Sequence, residues 1–184
     1  MKNKGFTLVE ILVSIAIFLI IIVTASGFFI SSVKNQRRNL ASQEVLDQTS
    51  YAFEYMSRAL RMAKKDDLDG IDRLSGNKVN YELTFSGKGG ISFRNYKDEY
   101  QEFYLDDGGD FRENKKKPGG PDPLISKKIK VNSFKIGPSD SWDQNDNLQP
   151  KVTLLLEVEA TEGDPPPKLR IQTTVSQRNL DVKE

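Results

Sequence analysis

The sequence predicts an α+β fold: one long N-terminal helix packed on a mainly antiparallel β-sheet. Three observations point there. All eight prolines lie at or after Pro118, and between Phe6 and Asp69 there is no proline and a single glycine, Gly27. Proline breaks helix interiors, so the early part of the chain is free to be helical and the later part is punctuated by turns. The apolar pattern changes from a helical period before Lys65 to strict alternation after Val79. The alternating segments are joined by short, turn-rich connections, which favour antiparallel pairing.

The helix begins oily. From Phe6 to Val33 the only ionisable side chain is Glu10. These 28 residues make roughly 40 Å of helix, enough to cross a hydrocarbon core of about 30 Å. Lys2 and Lys4 lie on one side, and Lys34, Arg37 and Arg38 on the other. Cations on both flanks leave the inside rule ambiguous; the short leader is placed in the cytoplasm and the large polar region outside it. A charge inside a bilayer is costly, so Glu10 is expected to have a partner. A secretory signal peptide is the rival reading, with Val23-Thr24-Ala25 as its cleavage region. Three features oppose it. Its core would contain Glu10, the apolar run continues through Phe28-Phe29-Ile30, and no turn follows.

Gly5-Phe6-Thr7-Leu8-Val9-Glu10 resembles the prepilin cleavage and methylation motif of type IV pilins and type II secretion pseudopilins. The pattern is a short basic leader, Gly, Phe, Thr-Leu, any residue and Glu, followed by about twenty apolar residues; this chain matches every element. The resemblance covers about the first thirty residues. It implies that prepilin peptidase cuts after Gly5 and methylates the new amine of Phe6. It also implies that Glu10 pairs with the N-terminal amine of an adjacent subunit during fibre assembly. The chemistry is coherent. Glycine lets a protease approach the backbone closely, and a free α-amine, with an unperturbed pKa near 8, is largely protonated at neutral pH. Glu10 lies four residues beyond Phe6 on the same helix, within reach of that amine or of a neighbour's.

Past Lys34 the helix turns amphipathic. Val45, Thr49, Ala52, Met56, Leu60 and Ala63 recur at spacings of four and three, with Leu46, Phe53 and Ala59 beside them. This stripe is expected to pack on the sheet. Lys64-Lys65 suit a helix C-terminus and Gly70 is the expected stop. A helix from Phe6 to about Lys65 is ~90 Å long. Arg58, Arg61 and Lys65 share a face, which is expected to be solvated; Glu54 precedes Arg58 by one turn and forms a helix pair.

The polar region reads as strands. Tyr81, Leu83 and Phe85 alternate, then Ile91 and Phe93 after Gly89-Gly90. Phe103 and Leu105 lead into the turn Asp106-Asp107-Gly108-Gly109, with Phe111 beyond. Ile129 and Val131 alternate, and Phe134 and Ile136 resume out of step, as across a bulge. Val152 to Val158 and Leu169 to Val175 are the clearest strands, joined as a hairpin by the loop through Pro165-Pro166-Pro167. The organisation is therefore a cytoplasmic leader (1–5), a transmembrane or fibre-core helix (6–33), an amphipathic helix extension (34–69) and an extracytoplasmic β-rich head (70–184). This helix-then-sheet plan is similar to that of pilins. The Arg-containing helix extension and the polar tail Ile171 to Arg178 resemble J-type minor pseudopilins.

Composition excludes several chemistries. The chain has neither Cys nor His, which removes disulfides, thiolate and imidazole metal sites, and any Ser-His-Asp triad. A net charge of +1 implies no global pull toward nucleic acid. Asp106, Asp107 and Asp110 surround two glycines, and Asp140, Asp143 and Asp146 are spaced by three with Asn145 and Asn147 between and beyond. Neither has EF-hand spacing, and turn chemistry accounts for both. No metal residues are assigned; Ca²⁺ at the second loop is the alternative. Trp142, in a polar loop, is expected to fold over a sheet edge rather than anchor a partner.

The resulting expectation is a structural, non-enzymatic subunit: a minor pseudopilin precursor, cleaved and N-methylated by prepilin peptidase and packed with homologues into a type II secretion pseudopilus. The expected partners are that peptidase, other pilins or pseudopilins, the assembly platform and its ATPase indirectly, and membrane lipid before assembly, with no nucleic acid. A minor pilin of a type IV pilus or a competence fibre is the near alternative. A membrane-anchored enzyme or ligand-binding ectodomain is the alternative from another class. The expected location is a single-pass inner-membrane protein with a cytoplasmic N-terminus, then a fibre.

Overall fold

The computed structural model of the chain describes residues 5–65, 74, 79–84, 87–115, 120–143 and 148–178. The leader residues 1–4, the Gly70 stop, Phe85, and Asn145, Asp146 and Asn147 of the second acidic loop lie outside the described residues. A single helix, α1 (Leu8–Arg61), is followed by eight strands. These are β1 (Glu82–Thr84), β2 (Gly90–Arg94), β3 (Tyr100–Leu105), β4 (Phe111–Asn114), β5 (Asp122–Pro123), β6 (Ile129–Gly137), β7 (Lys151–Ala160) and β8 (Lys168–Ser176). All pairings are antiparallel.

The strands form two sheets, β1-β2-β3-β4-β5 and β6-β7-β8, where the sequence suggested one. The hairpins fall where the turn residues place them. Asp106 to Gly109 joins β3 and β4, and the Pro165-Pro166-Pro167 loop joins β7 and β8. The register of β6 on β7 shifts between Val131 and Ser133, at the expected change of phase. Along β7, Val152, Leu154, Leu156, Val158 and Ala160 are buried on one face. The β8 partners of Val152, Leu154, Leu156 and Val158 are Val175, Thr173, Ile171 and Leu169, so one register keeps both apolar faces together.

The amphipathic half of α1 lies across β7 and β8. Val45, Thr49, Ala52, Phe53, Met56 and Leu60 are buried there, which matches the expected stripe. Leu46 is not part of it and remains 49% exposed. Aromatic rings tie the layers. Tyr55 of α1 meets Phe103 edge-on at 6.0 Å, and Phe111 of the first sheet meets Phe134 of the second at 4.8 Å. Trp142 is buried at 4% exposure, packs edge-on against Tyr81, and donates its Nε1–H to the Lys151 carbonyl at 2.9 Å. It is therefore a packing residue, as its sequence context suggested.

The helix ends at Arg61, earlier than the expected Lys65, and its stop is tertiary. The Lys64 N–H donates to the Arg94 carbonyl, which draws the chain onto β2. Tyr81 Oη donates to the Leu60 carbonyl at 2.8 Å, the Arg178 N–H to the Arg61 carbonyl, and Gln177 Nε2 to the Ala63 carbonyl at 2.7 Å. Carbonyls that a helix end leaves open are thus filled by distant parts of the chain.

Candidate functional site

The candidate site is the junction of leader and helix. Gly5, Phe6 and Thr7 precede α1 without helical structure, and all three are exposed, Phe6 at 85%. No atom of the fold beyond its chain neighbours lies within 4 Å of where a Gly5 side chain would stand. Nothing in this chain's own packing demands glycine there.

Thr7 is the N-cap of α1 (φ −80°, ψ 152°), and Glu10 completes a capping box. Thr7 Oγ1 accepts from the Glu10 N–H at 3.3 Å, while Glu10 Oε2 accepts from the Thr7 N–H and from Thr7 Oγ1, each at 2.9 Å. Two open helix donors are satisfied reciprocally, and the carboxylate sits at the positive end of the helix dipole. The sequence expectation pairs Glu10 with the amine of Phe6 or of a neighbouring subunit. Within this single chain the Glu10 carboxylate is held by Thr7. The signal was present as Thr-x-x-Glu immediately before an apolar run.

From Glu10 to Leu40 the helix has no buried packing of its own. No residue from Leu8 to Leu40 is buried, and the most apolar 18-residue window has a mean hydropathy of 2.9. Two of its polar side chains return to the helix. Ser14 Oγ donates to the Glu10 carbonyl at 2.7 Å, and Thr24 Oγ1 to the Ile20 and Ile21 carbonyls. In lipid, where no water is available, that satisfies them internally.

Other sequence candidates resolve differently. Asp106 and Asp110 both bind Arg112, at 2.5 and 2.8 Å, and Asp106 Oδ1 also accepts the Asp110 N–H. Burial alone would raise the Asp106 pKa, but Arg112 and the turn amides hold it below the usual carboxylate range. The first acidic loop is thus a salt-bridged turn. No cluster of three or more metal-binding side chains occurs among the described residues. Arg58 pairs with Glu54 at 2.5 Å on an exposed face, the helix pair anticipated from their spacing. A buried polar cluster that no motif announced links α1 to the first sheet. Glu113 accepts from Tyr55 Oη at 2.7 Å and from Gln101 Nε2 at 2.5 Å, and pairs with Lys115 at 3.0 Å. Its partners Tyr55, Gln101 and Lys115 line an open groove of about 270 Å³, but the Glu113 carboxylate is already engaged by all three, which suits a structural tie.

These features define a class first: a chain with an exposed, glycine-marked junction, an unburied apolar helix and an antiparallel head packed on that helix's far half. Residues 1–26 match the family model for the prokaryotic N-terminal methylation motif. The chain carries that motif, and its long helix packed on antiparallel sheets is a type IV pilin-like arrangement. No curated protein and no solved structure matches the chain.

Proposed function

We propose that this chain is the precursor of a minor pseudopilin, cut after Gly5 and N-methylated on Phe6 by prepilin peptidase, then assembled with homologous subunits into a type II secretion pseudopilus. The observation that carries the reading is the N-terminal junction. The motif's Gly5–Phe6 bond is exposed and non-helical, and an apolar helix with no buried residue up to Leu40 follows it. Such a helix is complete only in a bilayer or against other chains. The role is structural: cutting creates the Phe6 amine, and Glu10 exchanges part of its capping duty for that of a neighbouring subunit's amine. Before assembly the subunit is a single-pass inner-membrane protein with its leader in the cytoplasm. A type IV pilus or a competence fibre would use the same junction; a secretin gene alongside supports secretion, and a retraction motor gene supports a pilus.

Gly5→Val tests the processing step. The bulky side chain meets no obstacle within the fold, so the variant folds normally and retains its leader. A mature chain beginning at Phe6 from this variant would contradict the assigned cut. The reading assigns no resident metal: Arg112 occupies Asp106 and Asp110 of the first loop, and calcium at the second loop is the alternative that titration tests. Calcium titration is expected to leave the melting temperature unchanged.

A further inference from the structure

We propose that the helix-proximal end of the head docks on anionic phospholipid headgroups. The inference rests on the membrane-spanning reading of α1 and assigns that reading a lipid class. Two grooves open at this end. One, of about 230 Å³, lies between Arg37, Leu40 and Glu44 of α1 and Lys128, Ile129 and Ala160 of the second sheet. The other sets Asn35, Arg38 and Ser42 against Pro167 and Lys168. The turn entering β6 and the loop between β7 and β8 therefore both descend onto α1 between Asn35 and Glu44, immediately after the apolar run ends at Val33. The opposite end of the head is fixed by Lys64 on Asp98, so this end faces the bilayer.

Cations outnumber acids at this end: Lys34, Arg37, Arg38, Lys127, Lys128 and Lys168 stand with Glu44 and Glu162, which line the first groove, and with Glu159 and Asp164. Lys128 reaches Glu44 at 3.8 Å and Lys168 reaches Glu159 at 3.4 Å. Lys34, Arg37, Arg38 and Lys127 have no ion-pair partner among the described residues. From Ile11 to Val33 the helix covers about 35 Å, more than the hydrocarbon core, so Lys34 emerges at the far interface. Lys34 to Glu44 adds only about 15 Å, the headgroup layer is about 5–8 Å thick, and a Debye length is about 8 Å. The α1 cations thus sit in or on the headgroups, with Lys127, Lys128 and Lys168 near enough to feel an anionic surface. No aromatic side chains alternate with these cations as a nucleic-acid groove would require. Continuity with the span selects lipid.

The test uses the full chain in nanodiscs of zwitterionic lipid, with and without phosphatidylglycerol. A membrane-impermeant amine reagent labels the lysines, and mass spectrometry reads each rate. Lys34, Lys127 and Lys128 are expected to slow by about threefold or more in anionic discs, with the effect reversed by high salt. Lys97, Lys135 and Lys151 should keep the same rates. The double variant Arg37→Gln, Arg38→Gln should reduce the protection of Lys127 and Lys128. Equal rates in both lipids with the chain inserted would overturn the docking proposal alone. Equal slowing by inorganic phosphate in zwitterionic discs would also overturn it, pointing to a simple anion site. A chain that does not enter the discs would overturn the spanning reading and this proposal together.

Discussion

The two halves of α1 are one unbroken helix with opposite dependencies. From Leu8 to Leu40 no side chain is buried; from Val45 to Leu60 six are, against the second sheet. The second half is stabilised by its own head, whereas the first has apolar surface and no partner within the chain. Continuity of the backbone therefore does not mean continuity of what stabilises it. The first half awaits lipid or other subunits, and its side-chain ties are all local: the Thr7–Glu10 box and the bonds of Ser14 and Thr24 to the preceding turn.

The largest effect expected on this contrast comes from Glu10. Glu10→Gln can still close a capping box, because Gln serves at that position, but it removes the charge that an amine would pair with. It should be cut normally and enter fibres at least about tenfold less well. Thr7→Ala removes the cap and keeps the charge, so it should be milder. The reverse order in a fibre-incorporation assay would mean that Glu10 matters for capping alone.

Core truncation sharpens the same contrast. Leu60→Ala, at a fully buried position, should destabilise the head by about 2–5 kcal/mol in denaturant unfolding. Leu19→Ala, at an exposed position in the span, should leave the head's midpoint where it is. Equal losses would show that the halves are not independent. Tyr81→Phe removes the donor to the Leu60 carbonyl and should cost about 1 kcal/mol.

The smallest effect concerns acid. The Asp106 carboxyl is held below its unfolded value by Arg112. Its contribution is present above the unfolded pKa, near 4, and is lost as pH falls through the depressed folded value. Arg112→Gln should flatten that part of the acid-stability profile. An unchanged profile would remove the salt-bridged turn from the account.

What could be read in the sequence follows from the range of the interactions. The alternation of β7 and β8, the bulge after Val131 and the turn at Asp106 are local signals, and each appears where expected. The helix stop is different. Gln177 reaches Ala63, and Tyr81 reaches Leu60, so no pattern near Arg61 encodes it. The division into two sheets was also hidden, since strands of both sheets show the same apolar alternation and only packing assigns them to different layers. At the junction, Gly5, Phe6 and Glu10 were legible as a motif, but the role of Thr7 was overlooked although its spacing announced it.

The central claim is that this junction is a processing site, and the intact mass of the chain tests it most directly. Co-expression with a prepilin peptidase should yield a chain beginning at Phe6, without Met1 to Gly5 and carrying one added methyl group. A chain that keeps its leader, or one cut near Ala25 as a secretory signal would be, would contradict the account.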